Sequence, residues 1–182
     1  MIPEDSLKFV KTLAWDDVFD LWRAGEATIP RWIEHYTKGG FSSWDDWRKN
    51  TLRDLPYEAL PWKLFEVTDA TRTVLQFFGG PFRVWIRAYY DGARTKAFRE
   101  LATNPNVRDN AIVQQMIANF PAETNLVGLQ RGNNIFIIEG THRCCALAVM
   151  GSEGKSVPAK VLLALAPYPD EIPLMGRPDS PT

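Results

Sequence analysis

The sequence has little cysteine, little histidine and no long hydrophobic run. Its 182 residues include two cysteines and two histidines, and no apolar run approaches the ~20 residues that a membrane-spanning helix needs. Cys144 and Cys145 are adjacent, which makes a disulfide between them awkward and leaves no Cys-x-x-Cys metal motif, so we expect both to pack as small apolar residues. The first residues lack the basic-then-apolar order of a secretory signal. These absences predict a cytoplasmic protein that does not enter a membrane.

An excess of charge of either sign is also missing. Lysine and arginine number 21, aspartate and glutamate 22, and the formal net charge is −1. Long-range attraction to nucleic acid is therefore not expected, and any such contact would have to be local. The sequence contains neither Gly-x-x-x-x-Gly-Lys-Ser/Thr nor Gly-x-Gly-x-x-Gly, so a nucleotide site would have to be built from other residues.

Tryptophan, by contrast, is concentrated in the N-terminal third. The chain is 45% hydrophobic and 12% aromatic, enough for one buried core with an added helical region. Gly25 and Pro30 separate two predicted helices, and Ser43 is a predicted N-cap for a third. We expect these helices to pack on the main domain, with a ligand-stacking surface as the alternative. Five of the seven tryptophans lie between Lys8 and Leu60: Trp15, Trp22, Trp32, Trp44 and Trp47.

The middle of the chain alternates between strand-like and helix-like patterns. Trp62 to Val67 is a predicted strand. From Phe82 to Tyr89 apolar and polar residues alternate, which predicts a half-buried strand. Its polar face would carry Arg83, Trp85 and Arg87. Such a face suits a phosphorylated substrate or single-stranded nucleic acid, and it is equally compatible with simple solvation.

Further elements are predicted toward the C-terminus. Residues 93–103 and 110–120 have helical patterns, whereas 125–130 and 157–163 have the length and composition of strands. After Leu165 the sequence is rich in proline and has no periodic apolar face. We therefore predict an extended tail there.

The most informative stretch runs from Asn134 to Met150. An apolar run of strand length ends at Gly140, and small or apolar residues that suit a buried helix follow. Gly140 can adopt backbone conformations closed to other residues, and Thr141 is a predicted N-cap. The sequence thus predicts a strand, a tight turn and a buried helix.

The residues around this turn have complementary chemistry. Free N–H groups and the dipole at the start of a helix attract phosphate, and Arg143 would add a forked pair of donors. His142 would transfer a proton or donate a hydrogen bond, and Glu139 would hold a metal ion or accept a proton. The plain alternative is a capped helix with a solvated arginine.

The stretch Glu139-Gly-Thr-His-Arg143 resembles the Asp/Glu-Gly-x-His-Arg signature of the ParB/sulfiredoxin-like superfamily, in which this turn grips nucleotide phosphates. The order of elements from about Asp109 to Leu165 is similar to that of the family core. The resemblance implies an α+β fold with a small mixed sheet in residues 61–166. Residues 1–60 would be a helical, tryptophan-rich elaboration and 167–182 a proline-rich tail.

Two branches of the superfamily fit this chain poorly. Sulfiredoxins have a cysteine where this chain has Thr141, and partition proteins carry a helix-turn-helix domain after the core, where this chain has only a short tail. The remaining resemblance is to ATP- or ADP-dependent phosphotransferases that act on small molecules.

That branch implies roles for individual residues. Gly140, Thr141, His142 and Arg143 would bind ATP or ADP, with CTP as a further possibility, while Glu139 and His142 would be catalytic and Glu139 would hold Mg²⁺. Arg83, Trp85 and Arg87 would contact the small-molecule acceptor, and nucleic acid is not an expected partner. The alternatives are a non-catalytic module for a nucleotide or phosphate ligand and a ParB-like nuclease, for which more carboxylates near the site would be expected.

Overall fold

The computed structural model describes residues 4–176, and within them the chain forms a mixed α/β fold around one seven-stranded sheet. The strand order is β1-β2-β7-β5-β6-β3-β4. The pairs β5–β7 and β3–β6 are parallel, and the other neighbours are antiparallel. The strands are β1 (Leu7–Thr12), β2 (Lys63–Val67), β3 (Phe78–Gly79), β4 (Lys96–Ala97), β5 (Glu123–Arg131), β6 (Asn134–Glu139) and β7 (Lys160–Pro167).

Nine α-helices lie among the described residues. They are α1 (Trp15–Glu26), α2 (Pro30–Lys38), α3 (Trp44–Thr51), α4 (Ala70–Thr73), α5 (Arg83–Tyr89), α6 (Phe98–Leu101), α7 (Pro105–Arg108), α8 (Ala111–Ala118) and α9 (Thr141–Ser152). None of these nine is long and apolar enough to cross a bilayer.

Alternating side chains of the central strands bury both faces of the sheet. On β7, Val161, Leu163 and Leu165 face one hydrophobic core, and the residues between them face another. The first core, which we call the closed face, lies between the sheet and α4, α6, α8 and α9. The second core lies between the sheet and α1–α3, and we call these three helices the tryptophan-rich layer.

Helix α9 lies at the centre of the closed face. Residues 144–150 are all buried, so a helix that is apolar nearly all round has covering partners on every side. A Cβ atom on Gly151 would lie 2.1 Å from the carbonyl oxygen of Thr71, which shows how closely α9 approaches α4. Cys144 and Cys145 are buried and unbonded, which confirms their predicted packing.

The tryptophan-rich layer confirms the prediction that small aromatic helices pack on the main domain. Trp15, Trp22, Trp44 and Trp47 are buried. The breaks predicted at Gly25 and Pro30 agree with the observed ends of α1 and α2 to within a few residues. Ser43 caps α3 by accepting a hydrogen bond from the backbone N–H of Asp46 at 3.1 Å.

The predicted strand at Phe82–Tyr89 is wrong, because this segment is the helix α5. Residues four apart are neighbours on a helix, and here the ring centroids of Trp85 and Tyr89 are 4.7 Å apart. Phe82 and Ile86 repeat at the same spacing and pack against the closed face. The sequence of this segment is therefore compatible both with the two-residue period of a strand and with the four-residue spacing of a helix.

The predicted helical start of the chain is also wrong, because Lys8–Thr12 belongs to the edge strand β1, which pairs with β2. Every residue of β1 except Leu7 is exposed, so no alternating apolar pattern marks the strand. The helix predicted over 93–103 shortens to α6, with β4 directly before it.

The remaining predicted elements agree more closely. The strands at 62–67 and 125–130 and the helix at 110–120 are found as β2, β5 and α8, whereas β7 starts three residues later than predicted and extends to Pro167. Residues 168–176 form no helix and no strand apart from an isolated bridge between Met175 and Phe82, and Ile172 and Met175 are buried. Residues 177–182 of the predicted tail lie outside the described residues.

Candidate functional site

A cavity of about 770 Å³ opens where the tryptophan-rich layer, α5 and the junction of β6 with α9 meet. This volume is typical of small-molecule sites. All of the site residues predicted from the sequence contribute to its wall. The lining includes Glu26, Arg31, Trp32, Trp47, Arg48, Phe82, Arg83, Trp85, Arg87, Glu123, Asn125, Glu139, Gly140, Thr141, His142 and Arg143.

The junction between β6 and α9 requires glycine at position 140. Gly140 has a φ of 94°, and a Cβ atom there would lie 2.4 Å from Cδ2 of Leu126. Gly140 itself is the N-cap, and it offers no side-chain bond. The prediction that Thr141 caps the helix is therefore wrong, because Thr141 is the first helical residue and is buried. The first N–H groups of α9 lack helical acceptors and belong to residues that line the cavity.

Arg143 is held by the strands beside the helix terminus. Its guanidinium forms an ion pair with Glu139 and donates to Oγ1 of Thr124 at 2.9 Å and to the carbonyl oxygen of Asn125 at 2.8 Å. These bonds link α9 to the end of β6 and the start of β5. Arg143 therefore positions the carboxylate of Glu139 as well as lining the cavity.

Glu139 is buried, with 6% of its surface exposed. Burial raises the pKa of Glu139 to about 7, because the loss of hydration outweighs the stabilisation of the carboxylate by Arg143. The neighbouring Glu26 raises it further, whereas Arg48 opposes the rise. A carboxyl group that titrates near neutral pH is well suited to accept and release protons.

A second buried ion pair, which the sequence reasoning missed, lies next to the first. Arg48 on α3 bonds Glu26 at the end of α1 at 2.5 Å, and the indole N–H of Trp44 donates to the same carboxylate at 3.1 Å. The guanidinium carbon of Arg48 lies 3.8 Å from the ring centroid of Trp47. A helical pattern could have revealed Glu26, because it follows Trp22 by four residues on the buried stripe of α1.

The tryptophan-rich layer also lies close to the signature residues 139–143. A Cβ atom on Gly25 would lie 4.0 Å from Nη1 of Arg143. With Glu26 and Arg48 close enough to affect the pKa of Glu139, two carboxylates and two guanidinium groups form one cluster. The N-terminal residues thus contribute directly to the chemical environment of the signature.

His142 lies at the start of α9 with its ring centroid 5.0 Å from that of Trp85. Burial lowers the pKa of His142 to about 4, and the positive charges of Arg31 and Arg143 lower it as well. The imidazole is therefore neutral at pH 7 and carries one hydrogen-bond donor and one acceptor.

The three residues predicted to contact a substrate all line the cavity, although they lie on a helix. Trp85 is buried, and Arg87 is exposed. Arg83 is half-buried at the first position of α5. They consequently do not share the single flat face that a strand would have provided.

Residues 4–176 contain no group of three or more histidine, cysteine or acidic side chains placed to hold a metal ion. Mg²⁺ is commonly held by one or two carboxylates together with substrate phosphates and water. Glu139 fits an arrangement of that kind, in which a ligand supplies most of the oxygen atoms. Its ion pair with Arg143 would then be shared with the cation or rearranged.

No family model matches the chain, and no curated protein or solved structure matches it either. The resemblance to the ParB/sulfiredoxin-like superfamily therefore rests on the residues of the signature and their strand–turn–helix setting.

Proposed function

We propose that the protein binds a nucleotide in this cavity, with its phosphates at the start of α9. One observation carries the proposal: the first turn of a buried 12-residue helix lines a cavity that is rich in arginine and aromatic side chains. The free N–H groups and the dipole of such a helix favour a bound phosphate. The resemblance of residues 139–143 to the ParB/sulfiredoxin-like signature supports the same assignment.

The aromatic residues of the wall suit the planar part of a nucleotide. Trp32 and Trp47, whose ring centroids are 5.5 Å apart, border the cavity from one side, and Phe82 and Trp85 border it from α5. Stacking on aromatic side chains binds any base through its π-face and needs no specific hydrogen bonds. The cavity thus combines a region for phosphates with a region for a base.

The chemistry that fits this site best is phosphoryl transfer to a small molecule, or hydrolysis of the nucleotide. Glu139 would accept the proton of the attacking hydroxyl or amine, and Arg143 would orient Glu139 through their ion pair. Neutral His142 would donate a hydrogen bond to a phosphate oxygen, and Arg83, Trp85 and Arg87 would contact the acceptor. Mg²⁺ held by Glu139 and the phosphates would neutralise developing negative charge.

A non-catalytic nucleotide-binding module is the second candidate. It is favoured by the pairing of both carboxylates at the centre of the site, Glu26 with Arg48 and Glu139 with Arg143. Although burial raises the pKa of Glu139, its ion pair with Arg143 opposes that rise, and a carboxylate engaged with arginine is a poorer metal ligand than an unpaired one.

Calorimetric titration with ATP, ADP and CTP tests the proposal. The Arg143→Ala variant should bind nucleotide more weakly by about 1–3 kcal/mol, the scale of a lost charge-assisted hydrogen bond. Arg143→Lys keeps the charge near Glu139, so it shows whether the loss comes from the fork of donors or from instability. Arg99→Ala, at an exposed position of α6 outside the cavity, is the matched control.

Two results would contradict nucleotide binding at α9: no heat of binding with any of the three nucleotides, or wild-type affinity in Arg143→Ala. If a nucleotide binds but is not turned over with Mg²⁺ and a panel of hydroxyl and amine acceptors, the binding module is the correct reading.

A further inference from the structure

Helix α2 is the least buried helix of the tryptophan-rich layer. None of residues 30–38 is buried, whereas α1 has five buried residues and α3 has three. The side chain of Ile33 is among the most exposed apolar groups, with 41% of the residue accessible to solvent. An element with few buried apolar contacts opens at a small cost in free energy, and the lids of binding sites are elements of this kind.

The aromatic side chains of α2 rest on one buried ring of α3. The ring centroids of Trp32 and His35 lie 5.5 Å and 5.1 Å from that of Trp47, and Tyr36 contacts the same tryptophan at 6.4 Å. After the helix, Gly40 has a φ of 79°, and a Cβ atom there would meet no atom within 4 Å. Helix α2 is therefore supported by a single aromatic contact surface and ends in an open glycine turn, which suits movement about Trp47.

The side of α2 that carries Arg31, Trp32 and His35 lines the cavity. Burial lowers the pKa of His142, and the positive charge of Arg31 lowers it further, so the guanidinium of Arg31 lies within electrostatic range of the start of α9. The guanidinium carbon is 5.1 Å from the ring centroid of Trp32. Helix α2 thus spans the cavity from Trp47 to the helix terminus where a phosphate is expected.

We propose that α2 is a lid over the cavity, and that Arg31 binds the phosphates of the ligand and thereby holds the lid in place. That this ligand is a nucleotide rests on the proposed function. A guanidinium group binds phosphate through two parallel N–H bonds. Because this contact forms only when α2 lies over the ligand, binding shifts the lid toward that position. The same movement sets Trp32 against the base.

Hydrogen exchange of the backbone amides, followed by mass spectrometry, tests the lid. In the free protein, α2 should exchange faster than α1 and α3. Saturating ADP should slow exchange in α2 by about tenfold or more, and so should pyrophosphate, which supplies the phosphates without a base. Arg31→Gln should remove this protection and weaken ADP binding, measured by calorimetry, by about tenfold, the effect of losing a charge-assisted hydrogen bond.

Lys38→Gln is the matched control, because it removes a positive charge from the same helix at an exposed position outside the cavity, where Lys38 pairs with Glu34. It should leave both ADP affinity and the protection of α2 unchanged. Arg31→Lys keeps the charge but not the fork of donors. It replaces the glutamine variant if that variant fails to fold, and it should weaken ADP binding less.

The outcomes separate the lid from the nucleotide function. Exchange in free α2 as slow as in α3, or ADP binding that leaves α2 unprotected, would overturn the lid, and full protection in Arg31→Gln would overturn the role of Arg31. If pyrophosphate protects α2 through Arg31 while no nucleotide binds, the lid stands and the nucleotide function fails. If neither ADP nor pyrophosphate binds, both proposals fail.

Discussion

The two faces of the sheet differ in what they bury. The closed face is filled by apolar side chains and by α9 and reaches the cavity at α5, α8 and the start of α9, whereas the tryptophan-rich layer borders the cavity along α1–α3. Among the described residues, the buried charged side chains are Glu26, Arg48 and Glu139, and all three line that cavity. The closed face fixes the position of the β6–α9 junction, which supplies Glu139 to the cavity, and the tryptophan-rich layer supplies Glu26 and Arg48.

The largest expected effect concerns the buried ion pair between Glu26 and Arg48. Arg48→Leu leaves Glu26 buried without its cation and should lower the free energy of unfolding by about 3–5 kcal/mol, the cost of breaking a buried ion pair. Urea unfolding followed by circular dichroism measures this loss.

The double variant with Glu26→Leu is the control for this prediction. It removes both charges, so it should recover most of the lost stability, since apolar residues often replace a buried pair at little cost. A double variant as unstable as the single one would show that Arg48 stabilises the layer by its contacts with Trp47 and not by its charge.

A second variant measures the closed face. Leu147 is fully buried in α9, so Leu147→Ala should lower the free energy of unfolding by about 2–5 kcal/mol through lost burial and the cavity left behind. The matched control is Leu21→Ala, because Leu21 is only partly buried beside the ligand cavity. Urea unfolding of both variants checks the contrast, and equal losses would contradict the division between a closed and an open face.

Agreement between local signals explains which elements of the two faces could be predicted from the sequence. The strand Asn134–Glu139 and the helix after Gly140 were predictable because a continuous apolar run, a glycine and small apolar residues agree locally. The helices of the tryptophan-rich layer were predictable because Gly25, Pro30 and Ser43 mark their ends.

The elements that were predicted wrongly lack such agreement. Strand β1 is defined by pairing with a strand more than 50 positions away, and nothing local encodes that contact. Segment Phe82–Tyr89 satisfies both the period of two and the spacing of four, so tertiary packing decides between them. At the site, residues 139–143 were predictable from local pattern, whereas the Glu26–Arg48 pair and Arg31 approach the signature only through the fold.

The third prediction tests whether Glu139 supports chemistry at the site. Glu139→Gln keeps the size and hydrogen bonding of the side chain and removes its charge. Magnesium-dependent nucleotide turnover should fall by roughly 100-fold or more, the effect of losing a general base. Nucleotide affinity should be retained or increased, because a carboxylate beside bound phosphates repels them. Turnover close to wild type, measured by phosphate release, would rule out this role for Glu139.

The last prediction concerns the pH dependence of stability. In the folded protein the pKa of His142 is about 4, below its ordinary value of 6.5, because burial disfavours the charged imidazole. Between these two values the unfolded chain binds more protons than the folded one, so His142 makes the protein more stable as pH rises from about 4 to 6.5. Glu139 acts in the opposite direction, because burial raises its pKa from 4.5 to about 7.

Stability from Glu139 is therefore complete at low pH and is lost as pH rises toward 7, so the two groups offset each other over most of this range. His142→Asn should remove the gain and leave a profile that falls with pH, whereas Glu139→Gln should leave one that rises, each by at most about 1.4 kcal/mol per pH unit. Urea unfolding from pH 4 to 7 separates them, since other titrating groups cancel in the difference from wild type. A His142→Asn profile parallel to wild type would mean that the imidazole titrates normally and is not buried against Trp85.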